Sequence, residues 1–339
     1  MIKFLVGALF IPCVTFADTA VRAERLEIIR HLKQEIAKQY VLDEKKPAIL
    51  DSLEILSSSE ELERVSSDKE FAEAIANDLK KFDKHFSFSW KNDEKIDANQ
   101  PSESYWERLE RKNSGFSKVE ILEGNVGYID FWGFDKVNSN STERVANVMS
   151  MVADTSAIIF DLRNNGGGHP EMSQLISSYL FKNRTHLNSI YWRDSGEVDE
   201  FWTFRKVKGK KLVDIPIYIL TSSKTFSAAE DFAYSLQSLK RAVVVGEVTG
   251  GGAHPMRFLD FGNGFVAGIP YGKAINPVTK TNWEWVGVKP DLVSSKDSAF
   301  SLAYYTVLEN LVKTELNFAA KNEIRDKLQE LSKTLGTEL

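Results

Sequence analysis

The sequence holds a single cysteine, Cys13, among 339 residues. A lone thiol rules out a disulfide within the chain, and its neighbours "FIPC" make a poor lipid-attachment box. Cys13 also falls inside a segment that reads as an export signal. "MIKFLVGALFIPCVTFADTA" combines a positive Lys3, a short apolar core and small residues near Ala17, the pattern of a signal peptide cut after Ala17. On that reading the mature chain begins at Asp18 and has no thiol, which excludes cysteine nucleophiles and thiolate metal sites. An exported protein, periplasmic or secreted, is expected.

The imbalance between acidic and basic side chains is also small. The 43 basic and 48 acidic side chains leave a net charge of −5, and no basic cluster offers a footprint for nucleic acid. After residue 20 no apolar run approaches the length of a membrane span, so none is expected in the mature chain. Internal repeats and low-complexity tracts are absent. The five histidines are scattered and no His-Glu-x-x-His run occurs, so neither a metal nor another cofactor is expected. What remains is ordinary globular composition, 42% hydrophobic, long enough for one large domain and a smaller one.

From Asp18 to about Phe82 the pattern is helical. Leu26, Ile29, Leu32, Ile36 and Tyr40 recur at helical spacing, and "SSDKEFAEAIANDLKKF" predicts a further helix capped by Ser66, Ser67 or Asp68. "HFSFSW" alternates as a short strand, and "KNDEKIDANQPSES" reads as a linker. The larger unit then alternates strands with helices. "NVGYIDFWGF", "AIIFDLR", "IPIYILTS" and "AVVVGE" are strands; "STERVANVMSMV", "HPEMSQLISSYLF" and "FSAAEDFAYSLQSL" are helices. Nearly continuous apolar strands between helices predict an α/β fold of βαβ units with both sheet faces covered. "FLDFGNGFVAGIP" predicts a hairpin, and two helices close the chain. The expected division is a signal peptide at 1–17, a helical N-terminal domain at 18–100, an α/β core at 116–315 and a C-terminal helix at 316–339.

Sites in such sheets collect where loops leave the carboxyl ends of strands. Three loops stand out. "NNGGGHPE" carries Gly166, Gly167 and Gly168 before a helix, able to turn backbone N–H groups toward a substrate or simply to make a tight turn. It lacks the Gly-Lys-Ser/Thr of a phosphate loop. "TFSAAEDFAY" places Ser227 where a strand gives way to a helix. Ser227 can be a nucleophile there, with the Ala228 amide facing a developing oxyanion, or the first residue of a capping box with Glu230. "EVTGGGAHP" is a third glycine run ending in His254. A serine nucleophile needs a base. His31 is placed on a solvated helix face, His186 in a surface loop and His169 at a helix start, which leaves His85 and His254. Glu284, among tryptophans in "NWEWVGVKPD", is the candidate acid to orient an imidazole.

These stretches together resemble the tail-specific, carboxy-terminal-processing serine protease family, in its branch nearest the interphotoreceptor retinoid-binding protein and the tricorn protease. "GYIDFWGF", "IIFDLRNNGGG", "LTSSKTFSAAEDFA", "RAVVVGEVTGGGAHP" and "INPVTKTNWEWVGVKPDL" follow the family's order across residues 119–292, with "DKHFSFSW" as the histidine-bearing corner before them. The resemblance implies a core like that of the ClpP and crotonase fold under an N-terminal helical cap. It places the nucleophile on Ser227, the base on His85, the orienting acid on Glu284, and the oxyanion hole on Ala228 and Gly166 to Gly168. It also marks departures. "TGGGAHP" has no lysine for a serine–lysine dyad, and Lys224 is a poor substitute. Lys84 stands where the tricorn-like site has a serine, and no PDZ domain fits between the helical region and the core.

The expected function is therefore a serine peptidase acting through Ser227, His85 and Glu284 on protein or peptide substrates, with His254 as the alternative base. The other reading is a catalytically silent protein of the same fold that binds a hydrophobic, retinoid-like or lipid-like ligand. The sequence carries no sign of oligomeric state or of an adaptor.

Overall fold

A computed structural model describes residues 16–91 and 103–336. Most of the export-signal segment, Cys13 included, and most of the linker before residue 103 lie outside the described residues.

The N-terminal part consists of helices α1 (Phe16–Gln39), α2 (Lys46–Ser57), the short α3 (Glu60–Glu63) and α4 (Asp68–Leu79), followed by strand β1 (Ser87–Trp90). Ile28, Ile29, Leu32, Ile36 and Tyr40 form the buried stripe of this layer. Leu26, expected on that stripe, is 41% exposed; Ile28 takes its place because the stripe drifts around the helix. Ser67 caps α4: its hydroxyl accepts the Glu70 N–H at 3.2 Å, and the Glu70 carboxylate accepts the Ser67 N–H in return.

After α5 (Tyr105–Arg111) the chain runs through β2 (Phe116–Leu122), β3 (Val126–Phe131), α6 (Ser139–Met151), β4 (Ala157–Asp161), α7 (Pro170–Ser177), β5 (His186–Trp192) and β6 (Val198–Trp202). It continues with β7 (Ile217–Thr221), α8 (Ala228–Ser238), β8 (Ala242–Gly246), β9 (Met256–Gly262), β10 (Phe265–Pro270), β11 (Gly272–Ile275), β12 (Leu292–Val293), α9 (Ala299–Thr314) and α10 (Phe318–Leu335). The central sheet has the order β12-β8-β7-β4-β3-β2, parallel except for β2, which pairs antiparallel with β3. This is a mixed α/β sheet with helices on both faces, as the alternation of apolar strands and helices predicts.

Strand β4 shows why. Every residue of "AIIFD" is buried. Alternate side chains leave opposite faces of a strand. Ile158 and Phe160 pack with Met149 of α6, Leu175 of α7 and Phe232 of α8. Ala157 and Ile159 pack with Tyr304 and Leu308 of α9 and Leu328 of α10.

Two small antiparallel sheets flank this core, β1-β10-β9 and β11-β5-β6. The first is the expected hairpin with β1 added to its edge, and it ties the helical layer to the rest. Phe265, Ala267 and Ile269 of β10 share one apolar cluster with Ile49, Phe71 and Phe88 of the N-terminal layer. The stretch holding His186, expected as a surface loop, is strand β5 instead. Its polar look misleads because its buried polar residues are partnered inside: Asn188 Nδ2 donates to Asp231 at 2.8 Å, and the Ser189 hydroxyl meets His186 Nε2 at 2.9 Å.

Phe265 is 2% exposed and contacts Phe71 and Phe88 at ring-centroid distances of 5.5 and 5.7 Å. Phe265→Ala is expected to lower stability by about 3–5 kcal/mol, the usual cost of emptying a buried aromatic site. Urea denaturation followed by fluorescence checks this, and a loss below about 1 kcal/mol contradicts the packing role.

Candidate active site

The loops after β4, β7 and β8 leave the same end of the sheet and lie against one another. Between β7 and α8, residues 222–227 are fastened to the loop after β4. The Ser222 hydroxyl donates to the Arg163 carbonyl at 2.6 Å, the Thr225 hydroxyl to the Leu162 carbonyl at 2.7 Å, and the Phe226 N–H to the Asn165 carbonyl at 3.1 Å. These bonds hold Ser227 at φ 57° and ψ −121°, immediately before the first residue of α8. A non-glycine residue in such a conformation carries strain of about 1–3 kcal/mol. Sharp strand-to-helix turns of this kind lift a serine hydroxyl clear of its own backbone.

The capping box expected here forms by half. The Ser227 N–H donates to the Glu230 carboxylate at 2.9 Å, while the Ser227 hydroxyl faces away, toward His85. Glu230 is fully buried and also accepts the N–H groups of Gly251 and Gly252, at 2.6 and 2.9 Å, and the Thr249 hydroxyl. Burial pushes its carboxyl up to about 7, against the pull of those four donors. Glu230 thereby binds the third glycine run to the serine turn.

His85 Nε2 lies 3.0 Å from Ser227 Oγ, across 142 positions of sequence. The corner between α4 and β1 presents it: the His85 N–H donates to Asp83 Oδ1 at 2.9 Å, and its ring packs against Phe226 at 4.6 Å between centroids. Burial holds the imidazole down to about 4, opposed by the Asp83 carboxylate and reinforced by His254. Gly252 allows this approach. A Cβ there would come within 2.6 Å of His85 Cε1 and 2.3 Å of Phe226 Cζ.

His254, the other candidate base, points elsewhere. Its Nδ1 is 2.6 Å from Asp83 Oδ2 and 3.6 Å from Glu284 Oε2. The Tyr40 hydroxyl donates to the same Asp83 oxygen at 3.2 Å. Glu284 stands on a turn in which Trp285 adopts φ 66°, and its Oε2 accepts the Ala253 N–H at 2.6 Å. Burial, followed by repulsion from Asp83, raises the Glu284 carboxyl above its ordinary value. A direct bond from Glu284 to His85 is not formed. Yet among the described residues Glu284 Oε1 and His85 Nδ1 are both buried without a hydrogen-bond partner, and ligating atoms of Asp83, His85 and Glu284 lie within 4.8 Å of one another. That spacing would suit a metal ion, but both Asp83 oxygens already accept hydrogen bonds and His85 Nε2 is turned to the serine.

The glycine loop needs a correction. The Gly166 N–H donates to the Trp132 carbonyl at 3.2 Å and the Gly167 N–H to Asn165 Oδ1 at 2.9 Å, so both hold the loop's shape. Gly167, at φ 95°, sits so close that a Cβ would be 2.7 Å from Ser227 Cβ and 3.0 Å from the Ala228 nitrogen. Among the described residues, the N–H groups of Gly168 and of Ala228, both on the walls of the cleft that holds Ser227, meet no acceptor, the latter in the first turn of a helix, where no carbonyl is available. Lys84 is directed away from the serine, its ammonium donating to the Gly250 carbonyl and lying 5.3 Å from the Trp285 ring centre. Ser227 and His85 open onto a cleft of about 660 Å³ whose walls include Trp106, Ile190, Phe226, Met256 and Trp283.

Residues 125–294 match the family model described as peptidase family S41. The chain belongs to that family. It is 28% identical over 169 residues to the chloroplastic carboxyl-terminal-processing peptidase 2 of Arabidopsis thaliana, a match covering 49% of this chain and 31% of the relative. The chain thus spans about a third of that relative's length. Among solved structures, a candidate peptidase from Parabacteroides merdae superposes with a TM-score of 0.60 at 16% identity, covering 85% of this chain and 96% of the other. The tricorn protease superposes with a TM-score of 0.53 at 14% identity, covering 86% of this chain and 37% of that one. At such identities these structures show a shared fold.

Asp83 and Asn188 were not singled out in the sequence. An acid two residues before a histidine was the available signal for Asp83; nothing local marks Asn188, which reaches the cleft only through strand pairing.

Two outcomes test this geometry. Gly252→Ala is expected to displace His85 and slow labelling of Ser227 by a fluorophosphonate by about 10²-fold or more, the scale of losing a base, with circular dichroism unchanged; labelling at the wild-type rate contradicts it. The second concerns pH. An imidazole held near 4 stays neutral as acidity rises, so the labelling rate should keep more than half its pH 7.5 value at pH 5.5. A histidine of ordinary pKa would keep roughly a tenth.

Proposed function

We propose that this S41-family chain is a serine peptidase in which Ser227 attacks the carbonyl carbon of a peptide bond. One observation carries the reading: a strained serine at a helix N-terminus with an imidazole nitrogen 3.0 Å from its hydroxyl. His85 Nε2 takes the hydroxyl proton as the oxygen–carbon bond forms. The N–H groups of Gly168 and Ala228 stabilise the negative oxygen of the tetrahedral intermediate. On collapse the carbon–nitrogen bond breaks, the leaving amine takes the proton from His85, and an ester to Ser227 remains. Water, deprotonated by His85, cleaves that ester and returns the proton to Ser227.

In this mechanism Glu284 supports the imidazolium. The two unpartnered buried atoms, His85 Nδ1 and Glu284 Oε1, are the pair that would meet as charge develops on the ring. A carboxylate so engaged raises the basicity that burial alone depresses. Asp83 holds the backbone of His85 from below and His254 from the side, which casts His254 as a support and leaves the proton transfer to His85. Substrates are proposed to be protein or peptide segments extended along the cleft, with no PDZ groove taking part.

Ser227→Ala should abolish hydrolysis of a casein or peptide substrate and all fluorophosphonate labelling. His85→Ala should cut turnover by about 10²–10⁴-fold, and His254→Ala by much less. A folded wild-type protein that neither labels nor hydrolyses would instead be the silent hydrophobic-ligand binder. An inactive His254→Ala beside an active His85→Ala would reverse the assignment of the base.

A further inference from the structure

Behind Ser227, one turn along α8, the cleft meets two buried polar side chains that the proposed chemistry does not use. Asp231 is 7% exposed and Asn188 3% exposed, and both line the cleft that holds Ser227. The Asp231 N–H donates to the Ser227 carbonyl at 2.9 Å, which places Asp231 one helical turn along the backbone from the nucleophile. Its oxygens accept from the Ser173 hydroxyl at 2.8 Å, from Asn188 Nδ2 at 2.8 Å and, more weakly, from the Ser235 hydroxyl at 3.4 Å. All three donors are neutral. Burial pushes the Asp231 carboxyl up to about 6, so it is mostly ionised at neutral pH, and among the described residues no charged neighbour offsets it.

Asn188 adds an acceptor of its own. With Nδ2 committed to the carboxylate, its Oδ1 is fixed on the other side of the amide, and among the described residues that buried oxygen has no hydrogen-bond partner. Reversing the amide would set oxygen against carboxylate, so the orientation is determined. A buried lone acceptor costs about 1–3 kcal/mol unless something donates to it. Beside it lies an unneutralised negative charge. The approach is apolar, through Ala228, Ile190, Ala274 and Trp283. Apolar walls ending in acceptors and a negative charge suit a long side chain with a methylene stem and a cationic tip.

We propose that Asn188 and Asp231 form the floor of a subsite for a lysine or arginine side chain on the residue immediately before the scissile bond. The proposal rests on the peptidase reading above. That residue carries the attacked carbonyl, so its side chain starts next to Ser227 and is the one placed to run along the first turn of α8. The guanidinium or ammonium tip would donate to Asn188 Oδ1 and neutralise Asp231.

The test uses succinyl-Ala-Ala-Xaa aminomethylcoumarin amides with Xaa as lysine, norleucine or glutamine, so that charge, stem and neutral donor are separated. The wild type should hydrolyse the lysine substrate with kcat/KM at least tenfold above the norleucine one. Asp231→Asn and Asn188→Ala should each reduce that ratio at least fivefold. Fluorophosphonate labelling of Ser227 reports whether each variant is folded; if one is not, the other variant is read, and if neither is, the wild-type ratio decides. A norleucine substrate as good as lysine, a ratio unchanged in the labelled variants, or glutamine equal to lysine overturns the cationic subsite while leaving the peptidase intact. So does a labelled wild type that cleaves none of the three. Absence of labelling in the folded wild type removes the peptidase reading and this one with it.

Discussion

Glu230 holds the candidate site together. Its buried carboxylate gathers the N–H of Ser227 and those of Gly251 and Gly252, so the turn that exposes the serine and the glycine run that shelters His85 share one acceptor. A carboxylate is well suited to this because it can accept several hydrogen bonds at once. The strain at Ser227 persists because the surrounding bonds leave the turn no alternative. From this point outward the rest follows: with the glycine run fixed, Ala253 can present its N–H to Glu284, and Gly252 can lie flat against the imidazole.

The electrostatics of the site arise from too many acids in too little water. Asp83, Glu284, Glu230 and Asp231 are all largely removed from solvent within one region of the fold. Each is handled differently. Asp83 collects donors from Tyr40, His85 and His254; Glu230 collects backbone N–H groups; Glu284 keeps one oxygen unpartnered; Asp231 relies on neutral hydroxyl and amide donors. Buried ionisable groups with incomplete partners concentrate at functional sites. Here Glu284, with one oxygen unpartnered, and Asp231, met by neutral donors alone, are those given roles toward the ring and the substrate.

Much of this could be read from residue order. The run "AIIFD" announces a strand buried on both faces, and "SSDKE" announces a capped helix; both signals are local and depend on periodicity or capping chemistry. Ser227 was legible as a residue at a strand-to-helix junction, but its capping box looked complete in sequence. Only the backbone angles at that residue reveal that the hydroxyl has left the helix for His85. The glycine triplet was legible as a tight loop, yet which N–H groups remain free depends on Trp132 and Asn165 occupying those of Gly166 and Gly167. Strand β5 was missed because its buried positions include Asn188 and Ser189, residues that look exposed until their partners, Asp231 of α8 and His186 of the same strand, are known. Pairings across long stretches of chain leave no periodic trace.

His85 and Ser227 belong to separately packed layers. The imidazole hangs from the corner after α4, whose neighbours bury themselves with β10, whereas the hydroxyl rides on the sheet-and-helix core. By the proposed chemistry, a chain whose α/β layer has formed before its helical layer docks holds a serine with nothing to deprotonate it. In such a half-made molecule the proposed nucleophile lacks its base, so on that chemistry neighbouring chains are spared.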